Sequence, residues 1–118
     1  MKNQKEVGTH IIVDISNCYK NLDNQQYIED LLVKMANAGN ATVLNKKFHK
    51  FSGYGGVTGI LVLSESHISI HTWPELNFAA VDIFMCGKSN PRKSVEIIKE
   101  VFVGAKLNIL EIKRIPSS

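Results

Sequence analysis

No run of about 18 apolar residues occurs in this sequence of 118 residues, and no basic-then-apolar leader opens it. Neither a membrane span nor an export signal is therefore expected. Cysteine is scarce: Cys18 and Cys86 lie far apart and fit no CxxC or zinc-ribbon spacing. Two free thiols in a reducing compartment are the expectation, which makes the cytoplasm the default location. Charge of one sign is also lacking, with 14 Lys and Arg against 11 Asp and Glu and a net charge of +3. The basic residues are scattered, so the chain carries no electrostatic footprint for nucleic acid. Repeats, low-complexity stretches and interdomain linkers are missing too. At 44% apolar and 21% charged residues, the sequence reads as a single globular domain, 1–118, able to bury a core.

What is present is a regular succession of short elements. GTHIIVDIS, Gly8 to Ser16, is rich in isoleucine and valine and reads as a strand. Asn21 or Asp23 can cap a helix whose apolar face is Tyr27, Ile28, Leu31, Leu32 and Met35, with Gly39 suited to its stop. Ala41 to Phe51 looks extended, and the glycines of FSGYGGVTG mark a flexible turn or loop. Thr58 to Leu63, Ile68 to Trp73 and Ala79 to Met85 read as further strands. Ser89-Asn90-Pro91 then starts a second helix with Val95, Ile98, Val101 and Phe102 on one face, ended by Gly104. Leu107 to Ile115 closes with a strand. Strands outnumber helices and short turns join them, which predicts an α+β two-layer sandwich: a mostly antiparallel sheet with two helices on one face. The other face then needs cover, and a second copy of the chain would supply it.

ESHISIHTWPE, Glu65 to Glu75, holds more polar residues than a strand requires. Zinc is one account of it. His67 and His71 share a face, yet four residues of strand cover roughly 13 Å. Ligand bonds near about 2 Å bridge that only if the chain bends. A serine hydrolase is a second account, but there is no GxSxG elbow and no acidic residue placed to orient a histidine. The plainest account is a half-buried strand with hydrogen-bonded histidines.

The longer wording, LSESHISIHTWPE followed by AAVDIFMCG, closely resembles the processing site of the bacterial and archaeal S-adenosylmethionine decarboxylases. GTHIIVDISNC, FHKF, GVTG and the closing helix and strand follow in the family's order, so the resemblance spans nearly the whole chain. It implies an enzyme that makes its own pyruvoyl group. The Ser66 hydroxyl attacks the Glu65 carbonyl, the amide becomes an ester, and elimination and hydrolysis release ammonia. Chains 1–65 and 66–118 result, the second beginning with pyruvoyl. The resemblance makes His71 the processing base, a role that suits imidazole near neutral pH. Thr58 stands where the family usually has an assisting serine.

In the implied decarboxylation, the pyruvoyl carbonyl forms a Schiff base with the substrate amine, and Cys86 returns a proton. Phe51 and Trp73 flank the adenine, since flat apolar faces pack on a base, and Glu75 accepts from ribose hydroxyls. No metal is implied. The implied partners are S-adenosylmethionine and a second copy in a homodimer, with active sites at or near the interface and Phe51 reaching from the neighbour. The product would be the aminopropyl donor for spermidine synthesis.

Geometry adds a caution, since residues 66 and 71 point to opposite faces of a straight strand and a sharp turn at Ser66 is required. By the same parity Cys86 shares a face with Ala80, Asp82 and Phe84, where a small buried thiol is the ordinary occupant. Cys18 is expected to be structural. Leu76-Asn77-Phe78 after TWPE and the extra glycine in SGYGGVTG depart from the family's pattern near the expected pocket. They leave open a pyruvoyl-dependent arginine or ornithine decarboxylase. A non-processing regulatory homologue is the reading from another class.

Overall fold

Period-two burial organises the chain into one antiparallel sheet, seen in a computed structural model that describes residues 6–117. In chain order the elements are β1 (Gly8–Ser16), α1 (Gln25–Ala38), β2 (Val43–Lys50), β3 (Val57–Leu63), β4 (Ser66–Trp73), a 3-10 turn at Pro74–Leu76, β5 (Phe78–Met85), α2 (Pro91–Val101) and β6 (Lys106–Arg114). The strands lie in the order β2-β3-β4-β5-β1-β6, and every neighbouring pair is antiparallel. Ile11, Val13, Ile15, Leu61, Leu63, Ile68, Ile70, Val81, Ile83 and Met85 are buried on one face. Ile28, Leu32 and Met35 of α1, with Val95 and Ile98 of α2, are buried with them in one core. Each large side chain so buried contributes roughly 1.5–3 kcal/mol against the entropy of ordering the chain.

The expected α+β architecture is the one observed, and its details adjust the reading of the caps. The α1 cap is Asn24, whose side chain accepts from the Tyr27 amide at 3.0 Å. Neither Asn21 nor Asp23 takes that place. Asn21 instead adopts a left-handed φ of 59°, and its carbonyl receives the Asn24 amide. At the other end Gly39 does stop α1, but with φ −80°; the left-handed residue is Asn40, φ 59°. Gly39 is needed for space, because a Cβ there would sit 2.8 Å from Ser94 Oγ. That hydroxyl donates to the Met35 carbonyl at 2.7 Å and ties α2 to the end of α1.

Gly59 has a similar role in mid-strand. It pairs with Phe48 across β2 and β3, and a Cβ on it would overlap the Phe48 ring. Gly59→Ala is expected to push the ring outward and destabilise the fold by about 1–3 kcal/mol. Urea unfolding checks this: the midpoint falls while the slope stays unchanged.

The second face of the sheet has no helix among the described residues. It carries His10 and Ile12 of β1, Ile60 and Val62 of β3, His67 and His71 of β4, and Leu110 and Ile112 of β6. Ile60, Val62, Leu110 and Ile112 are between 38% and 57% exposed. A sheet face this apolar is unusual for a surface left to water.

Candidate active site

Only Ser64 and Glu65 join β3 to β4, with Leu63 paired opposite Ser66. Two-residue hairpins favour turns in which at least one central residue takes positive φ. Here neither central residue does, and the unusual torsion falls on Ser66, at φ 140°. L-residues rarely adopt this conformation, which costs about 1–3 kcal/mol and persists only where neighbours impose it.

Those neighbours grip the apex from two sides. The Ser64 amide donates to the Thr42 carbonyl at 3.0 Å, and the Glu65 carboxylate accepts from the Thr42 amide at 2.9 Å. The Thr42 amide, assisted by the Ser64 hydroxyl, holds the Glu65 carboxyl below its ordinary range. From the opposite side Cys86 donates twice to the Glu65 carbonyl oxygen, through its amide at 3.0 Å and its thiol at 3.1 Å. A carbonyl held by two donors is polarised, and the same donors hold the negative charge that forms when a nucleophile adds. The residue that follows this carbonyl is Ser66, whose side chain carries a hydroxyl.

The sharp turn expected at Ser66 is therefore present. It does not bring Ser66 to His71. Both belong to one continuous strand, β4, and the five residue steps between them span roughly 16 Å. His71 is paired instead with Thr58 in the β3–β4 register, and Thr58 Oγ1 lies 3.1 Å from His71 Nδ1. When Nδ1–H donates to Thr58, Nε2 is left as the basic nitrogen.

That end of the sheet forms a second constellation. A cavity of about 270 Å³ is lined by Phe51, Tyr54, Thr58, His71, Trp73 and Glu75. The Trp73 ring lies 6.2 Å from His71 and 5.6 Å from Phe78, so the departure Leu76-Asn77-Phe78 supplies a ring that supports the tryptophan. Thr72 anchors the floor by accepting from the Val57 amide at 2.8 Å and donating to the Leu22 carbonyl at 2.7 Å. Pro74 turns the chain outward to present Glu75, and Asn77 ends that turn at φ 50°. The Asn77 carbonyl then receives the Cys18 amide. Both cysteines are free thiols. Burial pushes the Cys18 thiol up from its ordinary value, as befits an inert packing residue.

The expected site residues thus fall into two groups. Glu65, Ser66 and Cys86 meet at one end of β4; Phe51, Thr58, His71, Trp73 and Glu75 meet at the other. Sequence reading missed Thr42, which acts through its main chain and leaves no mark in side-chain type. It also passed over Tyr54, whose only signal was an aromatic residue bracketed by glycines. A third group went unremarked on the open face: His10 Nε2 lies 3.1 Å from Asp82 Oδ1, beside the rings of His67 and Phe84.

The sequence model of one protein family, described as S-adenosylmethionine decarboxylase, matches residues 9–115. The chain is 46% identical to the S-adenosylmethionine decarboxylase proenzyme of Methanococcus aeolicus, over 93% of this chain and 95% of that one. It is 40% identical to the proenzyme of the same name from Thermomicrobium roseum, with the same coverage of 93% and 95%. Among solved structures, the adenosylmethionine decarboxylase of Aquifex aeolicus superposes with a TM-score of 0.86 at 29% identity, over 97% of this chain and 95% of that one. None of these three is described as an arginine or ornithine decarboxylase, or as a regulatory homologue.

Proposed function

The chain belongs to the S-adenosylmethionine decarboxylase family, and on that premise we propose that it cuts itself between Glu65 and Ser66 and then decarboxylates S-adenosylmethionine, working in the cytoplasm as a homodimer. The observation that carries the reading is the scissile peptide itself. Ser66 stands at φ 140°, and the carbonyl before it is held by both donors of Cys86.

The processing steps derive from those atoms. Ser66 Oγ adds to the Glu65 carbonyl carbon, and the charge that collects on its oxygen is held by the Cys86 amide and thiol. The Glu65–Ser66 C–N bond breaks as the Ser66 nitrogen takes a proton, leaving an ester. This rearrangement releases the strain at Ser66. Removal of the Ser66 Cα proton breaks the Cβ–Oγ bond, expels the main-chain carboxylate of Glu65 as the new C-terminus and leaves a dehydroalanine. One water adds and one ammonia leaves, giving chain 1–65 and a pyruvoyl-headed chain 66–118. The Thr42 contacts keep the apex in place throughout. Because the Glu65 carboxyl is held below its ordinary range, it stays ionised, and keeps its hydrogen bond, into mildly acidic solution.

A base is needed for the proton steps, and His71 with its Thr58 partner is suited to the task. Its distance from Ser66 along the same strand favours a base lent by the other protomer. Two copies joined through their open sheet faces bury Ile60, Val62, Leu110 and Ile112. The same contact lets each copy lend its Thr58–His71 end to the other's Ser66–Cys86 end. Phe51 and Trp73 would then flank the adenine of a substrate whose amino-acid portion reaches the partner's residue 66, and Glu75 would accept from the ribose hydroxyls. The pyruvoyl group supplies an electron sink for the pair left as carbon dioxide departs. Cys86, partly buried beside it, returns a proton to that carbon, completing an aminopropyl donor for spermidine synthesis.

Intact-mass measurement tests the reading. Two chains are expected, 1–65 and 66–118, the second with a terminal keto group and one nitrogen fewer than its sequence encodes. Carbon dioxide release from S-adenosylmethionine should track their appearance. A folded protein that remains a single species near 13.2 kDa and releases no carbon dioxide overturns it.

A further inference from the structure

The loop preceding β3 is a closed unit. The Phe51 amide donates to the Gly56 carbonyl at 2.8 Å and pins its two ends together. Gly56 itself is wedged, since a Cβ there would lie 2.7 Å from the Thr72 carbonyl oxygen. Between these fixed ends the apex is Gly53-Tyr54-Gly55, with both glycines in the left-handed region at φ 81° and 79°. Nothing lies within 4 Å of where a Gly53 Cβ would be. Glycine is therefore used at 53 for its torsional range and not for room.

Tyr54 is held up between these two pivots with 72% of its surface exposed. A loop tip needs no such ring to turn, and a polar residue would serve the fold equally well. The ring nevertheless borders the same cavity as Phe51, Trp73 and Glu75. Phe51, at 53% exposed, and Trp73, at 38%, are also left open there. Three uncovered aromatic rings around one hollow, with a carboxylate at its edge, form a surface awaiting a flat ligand. Tyrosine offers large contact area with only two side-chain torsions to freeze.

Resting on the reading that this cavity takes the nucleoside, we propose that Tyr54 is a specificity-determining third aromatic wall. It is a ring on glycine pivots that swings down onto the purine once the base has entered between Phe51 and Trp73. The closed base of the loop fixes where the ring lands, and the pivots give it the freedom to let the nucleoside in and out. The ring lies away from the Glu65–Ser66 bond of its own chain, and cleavage of the partner's bond relies on Thr58 and His71, so the ring acts on affinity and leaves self-cleavage alone.

The test uses the matured protein and 5′-methylthioadenosine, a nucleoside that cannot be decarboxylated. Binding is read by the fluorescence of Trp73, the single tryptophan of the chain. Tyr54→Ala is expected to raise the Kd of that probe, and the KM for S-adenosylmethionine, about tenfold, in line with the loss of one stacking ring. The kcat should stay within about twofold, and cleavage into two chains should proceed at the unaltered rate. Tyr54→Phe should bind as the parent does. Gly53→Ala should weaken probe binding through the pivot alone, because its methyl touches nothing. Equal probe affinity for the parent and Tyr54→Ala overturns the inference while leaving the decarboxylase reading intact. If the parent itself binds no nucleoside, the reading of this cavity as the nucleoside site falls and takes this inference with it.

Discussion

A His71→Ala chain co-expressed with a Ser66→Ala chain is expected to be cut in about half of its copies, although neither variant is cut when made alone. The expectation comes from pairing statistics in a two-fold dimer and from the geometry of β4. A His71→Ala homodimer keeps both nucleophiles and lacks both bases. A Ser66→Ala homodimer has the reverse defect. In the mixed dimer one site receives its serine from the first chain and its histidine from the second, and that site is whole. With equal expression about half of the His71→Ala chains meet a Ser66→Ala partner. The Ser66→Ala chain stays uncut in every pairing. A tag of different size on each chain makes the result visible on one denaturing gel. Efficient cutting of His71→Ala alone would show that the base lies elsewhere. A mixture that forms mixed dimers yet remains whole would refute the shared site.

Replacing Cys86 should separate the two activities of the protein by magnitude. In Cys86→Ala the Glu65 carbonyl loses the thiol at 3.1 Å but keeps the amide at 3.0 Å. A thiol is a weak donor, so self-cleavage should slow by about tenfold, below the loss usual for a strong oxyanion donor. Carbon dioxide release per matured chain should fall by about 10²–10⁴-fold, the usual contribution of a positioned acid. Cys86→Ser restores an oxygen donor to the carbonyl and should recover cleavage more fully than turnover. Time courses of band conversion and of carbon dioxide release, taken on the same preparations, check both numbers. Parallel losses in the two would mean that Cys86 supports the apex alone and takes no part in decarboxylation.

Much of the fold was readable from periodicity. The alternation in IIVDI and AAVDIFM marks strands, and the three-and-four spacing from Ile28 to Met35 marks α1. The misplaced cap has a local cause. Asn21, Asp23 and Asn24 are all capable, and the left-handed turn at Asn21 selects the last of them. Gly39 was rightly read as the stop of α1, but the crowding at Ser94 that requires a glycine there comes from a residue far along the chain. The site was legible as a set of residue types and not as a place. Strand parity rightly separated Ser66 from His71, and the turn expected at Ser66 is present but leaves the two at opposite ends of β4. The contacts at Thr42 and the two donors on the Glu65 carbonyl involve main-chain groups that every residue carries. No reading of side chains recovers them.

Strand order would decide the fate of the two products of the proposed cut. Scission between Glu65 and Ser66 would assign β1, β2 and β3 to one product and β4, β5 and β6 to the other. Yet β1 lies between β5 and β6, and β3 remains hydrogen-bonded to β4. The two products would be plaited like the strands of a rope severed at one yarn, and neither could leave without dismantling the sheet. Breakage must then come after folding, and newly made halves supplied separately would meet only as two incomplete sheets, each with raw edges.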